Sequence, residues 1–282
     1  MGSDAEANED RIVATEDGLV LPTVCPWAKR KYHFLSRFLD IFTTAMRSKF
    51  ERLVFVDLFA AAGFARIRDT DEIVETSSVI AANLRFPFSQ IVALELDDKN
   101  AAALRERLSR RQQPQPPVII NGDTNDRIGD ATALVQGNRV LCVTLADPFS
   151  LAALRFETLE VLSTIHSDLV VLLPDGMDAI RNMRTYYNDN PNSSLDEFMG
   201  ESGWRELIQE PQRDTHEALR LRFEDRLRQI GYKHFDMTRF VNPGGQRMYS
   251  LVFASRHELG LKFWREANKV DEHGQRELFS FD

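Results

Sequence analysis

The chain has 282 residues, 43% apolar and 28% charged, with a net charge of −8; at this size about 75% of the unfolded surface can be buried, so folding needs neither disulfides nor metal. Cys25 and Cys142 are far apart in sequence and read as free thiols, and the six histidines fall at no metal-ligand spacing, so no metal site is expected. No apolar run approaches the roughly 20 residues of a membrane span and the first residues do not resemble a signal peptide, which leads to the expectation of a cytoplasmic protein without membrane contact.

Six acids and one Arg fall in the first seventeen residues, leaving about −3 for the remainder and only a weak electrostatic argument about nucleic acid. Residues 1–22 read as a disordered acidic lead-in and residues 23–282 as one domain, with ordered chain from about Trp27. The stretch "WAKRKYHFLSRFLDIFTTAMRSKF" puts Phe34, Phe38, Ile41, Phe42 and Ala45 at helical spacing and predicts a long amphipathic helix.

Five short apolar runs follow: "LVFVDLF", "IVALEL", "VIIN", "RVLCVTLA" and "DLVVLLP". Helix-like segments near 77–85, 98–111, 126–136 and 155–166 separate them, so the pattern predicts an α/β doubly wound, mostly parallel sheet. A helical insertion is expected over about 178–230. After it "HFDMTRFV" and "RMYSLVFAS" flank "NPGG" and predict a C-terminal β-hairpin. Five βα units closed by a hairpin favour the methyltransferase variant of the doubly wound fold.

Ligands of such sheets sit beyond the carboxyl ends of the strands. The turn after the first strand offers Asp57, Ala61 and Gly63, where small side chains admit close backbone approach to a cofactor or merely tight packing of strand against helix. Glu95 stands after the second strand, with Asp97 beyond it; it can accept from a ribose diol or be a solvated strand-end acid. Asp123 after the third can take an adenine amine or cap a helix. Asp147, Pro148 and Phe149 after the fourth can position a methyl acceptor, or Asp147 can be a local cap. The basic runs "RERLSRR" and "RLRFEDRLR" read as solvated helix faces rather than phosphate tracks.

The segments "VDLFAAAGFARI", "TSSVIAANL", "GDTND", "ADPFSLAALRFETLEVLS", "VLLPDGMDAIRN" and "MYSLVFASRHELGLKFW" together resemble the three-Cys-motif partner proteins of bacteria and archaea, from about Lys31 to Phe279. The resemblance implies a class I S-adenosylmethionine-dependent methyltransferase-like fold and a partner protein with three clustered cysteines. It supplies no established reaction. Where that family carries Gly-x-Gly-Arg, this chain has Ala61, Ala62, Gly63 and Phe64; a methyl at a site of close approach costs about 1–3 kcal/mol if the loop cannot relax. "DPF" is a distant relative of the Asp-Pro-Pro-aromatic turn of amino-methyltransferases, which admits nucleic acid as an acceptor class. The rival expectation is a non-catalytic partner or scaffold with a degenerate cofactor loop.

Overall fold

β-Branched and aliphatic runs too short for helices become strands buried on both faces, and this pattern organises the molecule. The structure is a computed structural model in which residues 17–70, 72–209, 214–242 and 244–270 are described. The lead-in expectation for residues 1–16, Pro243 of the hairpin turn and the end of the family resemblance beyond residue 270 lie outside the described residues.

In chain order, β1 (Thr23–Val24) and α1 (Ala28–Met46) precede β2 (Arg52–Asp57), followed by β3 (Phe64–Ile67) and β4 (Ile73–Glu75). Alternation then sets in: α2 (Ser77–Ala82), β5 (Gln90–Glu95), α3 (Asp98–Ser109), β6 (Val118–Asn121), α4 (Thr124–Leu134), β7 (Val140–Ala146), α5 (Phe156–Leu162) and β8 (Ser167–Leu173). The insertion holds one α-turn, α6 (Ile180–Asn182), between π-helical turns at Asp175–Ala179 and Met183–Tyr187. It continues through α7 (Ser194–Met199) and α8 (Thr215–Gln229). β9 (His234–Val241), β10 (Arg247–Ser255) and α9 (Glu258–Asn268) complete the described chain.

The main sheet runs β6-β5-β2-β7-β8-β10-β9. Its first five strands are parallel, and β10 is antiparallel to both β8 and β9. This is the class I methyltransferase type of doubly wound α/β sheet, with the expected hairpin forming its edge. Helices α1, α2, α3 and α9 pack on one face, and α4, α5, α7 and α8 on the other.

The buried stripe of α1 takes in Phe34, Leu35, Phe38, Leu39, Phe42 and Met46, while Ile41 and Ala45, expected in it, are only half-buried. Trp264 of α9 meets Phe34 edge-on at 4.5 Å and stacks on Phe253 of β10 at 4.9 Å, so the first and last helices lock over the sheet. Truncating such a buried aromatic costs about 3–5 kcal/mol.

Order begins earlier than Trp27. Leu21 is buried, β1 pairs in parallel with β3, and β3 pairs with β4 in a small second sheet absent from the sequence expectation. Strands of two to four residues carry too little periodic pattern to be read from sequence. The basic run around Arg220 is only partly a solvated face: Arg228 and Asp225 pair in the open, but Arg220 pairs with Glu217 and with Glu224, which is buried. The other run divides: Arg105 and Arg110 are exposed, but Arg107 is 1% exposed.

Candidate active site

A cavity of about 630 Å³ opens beyond the carboxyl ends of the parallel strands. Its walls come from the turn after β2 (Phe59, Ala61), the end of β5 (Glu95, Leu96), the start of α4 (Asp123, Thr124) and the turn after β7 (Asp147 to Ser150). The rest of the wall includes Thr23, Val24 and Cys25 of the N-terminal segment, Lys31 and Tyr32 of α1 and Tyr249 of β10.

Glu95 closes a local network. Its Oε2 accepts from the Ala61 backbone N–H at 2.7 Å, and its Oε1 accepts from the Asp97 N–H at 2.9 Å and weakly from Asn100 Nδ2 at 3.4 Å. Burial raises its pKa above the ordinary glutamate value, and the two backbone donors oppose that rise. Ala61 has φ 53°, a left-handed conformation that costs an L-residue roughly 1–2 kcal/mol. The carboxylate of Glu95 therefore holds the turn in its strained geometry. Asp97 is not among the residues of the cavity wall and caps α3, accepting from Lys99 and Asn100 N–H at 2.9 and 2.8 Å.

Asp123 lines the cavity and caps α4 as well, accepting from the Asn125 N–H at 2.7 Å. Asp147 and Pro148 line it after β7, and Phe149 stands at the rim with 82% of its surface exposed. Asp147 is no local cap: its Oδ2 accepts from Lys31 Nζ. The ammonium lies 5.0 Å from the Tyr32 ring centroid and 6.0 Å from that of Tyr249. Burial, the largest influence on Lys31, depresses its pKa, but the Asp147 charge and hydrogen bond together with the neighbouring Tyr32 and Tyr249 outweigh it and the pKa rises above the ordinary lysine value. Lys31 is therefore an ammonium at neutral pH.

Two expected site residues turn inward. Asp57 is fully buried, accepts from Ser77 Oγ at 2.5 Å and Ser78 Oγ at 2.7 Å, and is pushed up to about 6 by burial. Gly63, at φ +89°, has no place in the cavity wall; a Cβ there would lie 2.9 Å from Val79 Cγ2 and 3.2 Å from Leu104 Cδ1. Its small size serves the packing of turn on helix, the alternative left open by the sequence. Ala61, Glu95, Asp123, Asp147, Pro148 and Phe149 are the expected residues that the fold brings together.

Arg107 shapes the site from behind. Its Nη1 donates to Ala62 O at 2.6 Å and Val20 O at 3.0 Å, and its Nε and Nη2 hold the two Asp17 oxygens at 2.9 and 3.1 Å. Its guanidinium lies 5.2 Å from the Phe64 ring centroid. Both Lys31 and Arg107 had a sequence signal: each occupies an apolar register, Lys31 among Ala28, Leu35 and Phe38, and Arg107 beside Leu104 and Leu108.

No sequence-family model matches the chain, and no curated protein matches it in sequence. Among solved structures, a Legionella pneumophila protein of the DUF519 family superposes with a TM-score of 0.51 at 10% identity, over 88% of this chain and 95% of that one. Trm1 from Pyrococcus horikoshii, solved with S-adenosyl-L-methionine, gives 0.48 at 12% identity over 96% and 68% of the two chains. An O-methyltransferase from Bacillus cereus, in complex with S-adenosylhomocysteine, gives 0.42 at 13% identity over 82% of each.

Proposed function

We propose that the protein is an S-adenosylmethionine-dependent methyltransferase, and the carrying observation is Glu95: a half-buried carboxylate at the end of β5, tied to the Ala61 turn, on the wall of a ligand-sized cavity. The donor set fits the cofactor. Glu95 keeps lone pairs for a ribose diol, Asp123 one for an adenine amine, and exposed Leu96 an apolar face for the base. When bound, the cofactor supplies an electrophilic methyl group, and the task left to this chain is alignment of an acceptor. The turn of Asp147, Pro148 and Phe149 is the acceptor side in this reading.

A resident of such a site stabilises the folded state, and S-adenosylhomocysteine at 100 times its dissociation constant adds about 2.7 kcal/mol. The expected result is a rise of the thermal midpoint with that ligand, and a dissociation constant about 10- to 100-fold weaker in Glu95→Ala by calorimetry. A wild-type protein indifferent to both cofactor forms removes this reading and leaves the scaffold alternative, which the strained Ala61 in the loop favours. Membership of the three-Cys-motif partner family, and with it a three-cysteine partner protein, belongs to the same proposal. Co-purification with the neighbouring gene product tests it.

A further inference from the structure

The acceptor side of the cavity holds a buried cation with unspent hydrogen-bonding capacity. Among the described residues Asp147 is the one oxygen partner of Lys31 Nζ, although an ammonium has three N–H donors. The neighbouring Tyr249 side chain also lines the cavity, and its hydroxyl is buried without a partner. The charges of Arg30 and Asp57 also act on this group, the first on Tyr249 and the second on Tyr32 of α1. Next to this polar knot Phe149 offers an exposed ring face at the rim.

We infer that the acceptor is a small aromatic molecule with an acidic hydroxyl, bound as its phenolate with the oxygen on Lys31 and the ring against Phe149; this rests on the methyltransferase reading. The chemistry discriminates. An amine acceptor can place its N–H groups on the second oxygen of Asp147, but it leaves the spare donors of Lys31 and the Tyr249 hydroxyl without an acceptor oxygen. A phenolate brings acceptor lone pairs to the spare donors of Lys31 and Tyr249, where the low local dielectric strengthens its attraction to the ammonium against the opposing charge of Asp147. In the transfer the phenol proton goes to water beforehand. The phenolate oxygen then forms its bond to the methyl carbon as the carbon–sulfur bond breaks, and sulfur keeps that electron pair. Lys31 holds the oxygen; it removes no proton, because it is already charged.

The test uses para-nitrophenol, whose phenolate is coloured, titrated into the full chain with and without S-adenosylhomocysteine, with para-nitroaniline as the isosteric amine. The expected result is that bound nitrophenol ionises about one pH unit lower than in free solution and binds about tenfold more tightly than nitroaniline. Lys31→Met should abolish the shift. Tyr249→Phe should weaken nitrophenol by about tenfold while the thermal midpoint holds or rises, because the hydroxyl removed satisfies nothing in the protein. Because Lys31→Met can also unsettle the fold through the unpaired Asp147, Tyr249→Phe and the wild-type dye titration carry the decision on their own. Equal affinity for the amine, an unshifted ionisation in the wild type, or no binding of either dye overturns the inference. Dye binding with the shift but no affinity for S-adenosylhomocysteine would sink the cofactor reading and keep the oxyanion site.

Discussion

Lys31 and Asp147 meet across 116 positions of sequence, with side chains 12% and 16% exposed. Two charges so far from water hold each other in place, and removing one strands the other. Breaking a buried pair costs up to about 3–5 kcal/mol, whereas replacing both members by apolar side chains is often close to neutral. Asp147→Asn is therefore expected to lower stability by about 2 kcal/mol or more, somewhat below the fully buried limit because both groups retain some solvent. Lys31→Met should do the same, and Lys31→Met combined with Asp147→Asn should recover much of the loss. Urea denaturation of the four proteins measures this. Strict additivity would mean that the two side chains are independent, and the site would then lose its organising charge pair.

At the scale of elements, the N-terminal segment and the loop after β2 behave as one piece because Arg107 of α3 binds both. Asp17 and Val20 come from the segment and Ala62 from the loop. The Arg107 side chain holds the Asp17 carboxyl below the usual aspartate range, chiefly through its hydrogen bond. Thr23 and Val24, a few residues on, wall the cavity. Arg107→Met removes the donors from three acceptors at once. Amide hydrogen exchange should then accelerate over residues 17–24 well beyond any change in β2, and S-adenosylhomocysteine should bind about tenfold more weakly although Arg107 lines no part of the cavity. Unchanged exchange over residues 17–24 would show that pairing of β1 with β3 alone seats the segment.

Stability of the whole molecule carries a pH signature from two buried acids. Burial pushes Asp57 up to about 6 and Asp168 up to about 7, against hydrogen bonds from Ser77 and Ser78 in the first case and Ser255 in the second. A raised acid means that the folded state binds the proton more tightly than the unfolded chain, so stability is present at low pH and is lost as pH rises from about 4 through these values. Each unit of difference corresponds to about 1.4 kcal/mol. Asp17, Asp196, Asp214 and Glu217, held low in the fold, act in the opposite sense and withdraw stability as pH falls below about 4. The denaturation midpoint is expected to fall between about pH 4 and pH 7 and to flatten in Asp57→Asn and Asp168→Asn. A midpoint that climbs across that interval would contradict the assignment of these two groups.

Local patterning determined the alternation of five strands with helices, the closing hairpin and the presence of an acid near the end of each of the first four strands, because periods of 2 and 3.6 are written in neighbouring residues. It reached the edge hairpin to within the residues of β9 and β10. Packing decided the rest. Asp57 and Asp147 both follow apolar runs, yet one ends under Ser77 and Ser78 and the other on Lys31, a choice made by helices remote in sequence. Gly63 and Ala61 are two positions apart, and only the three-dimensional turn sends the first toward Val79 and leaves the second on the cavity wall. The charged residues in the apolar registers of α1 and α3 were visible in the sequence, but their partners were not, since a buried charge is matched by whichever distant group the tertiary fold brings against it.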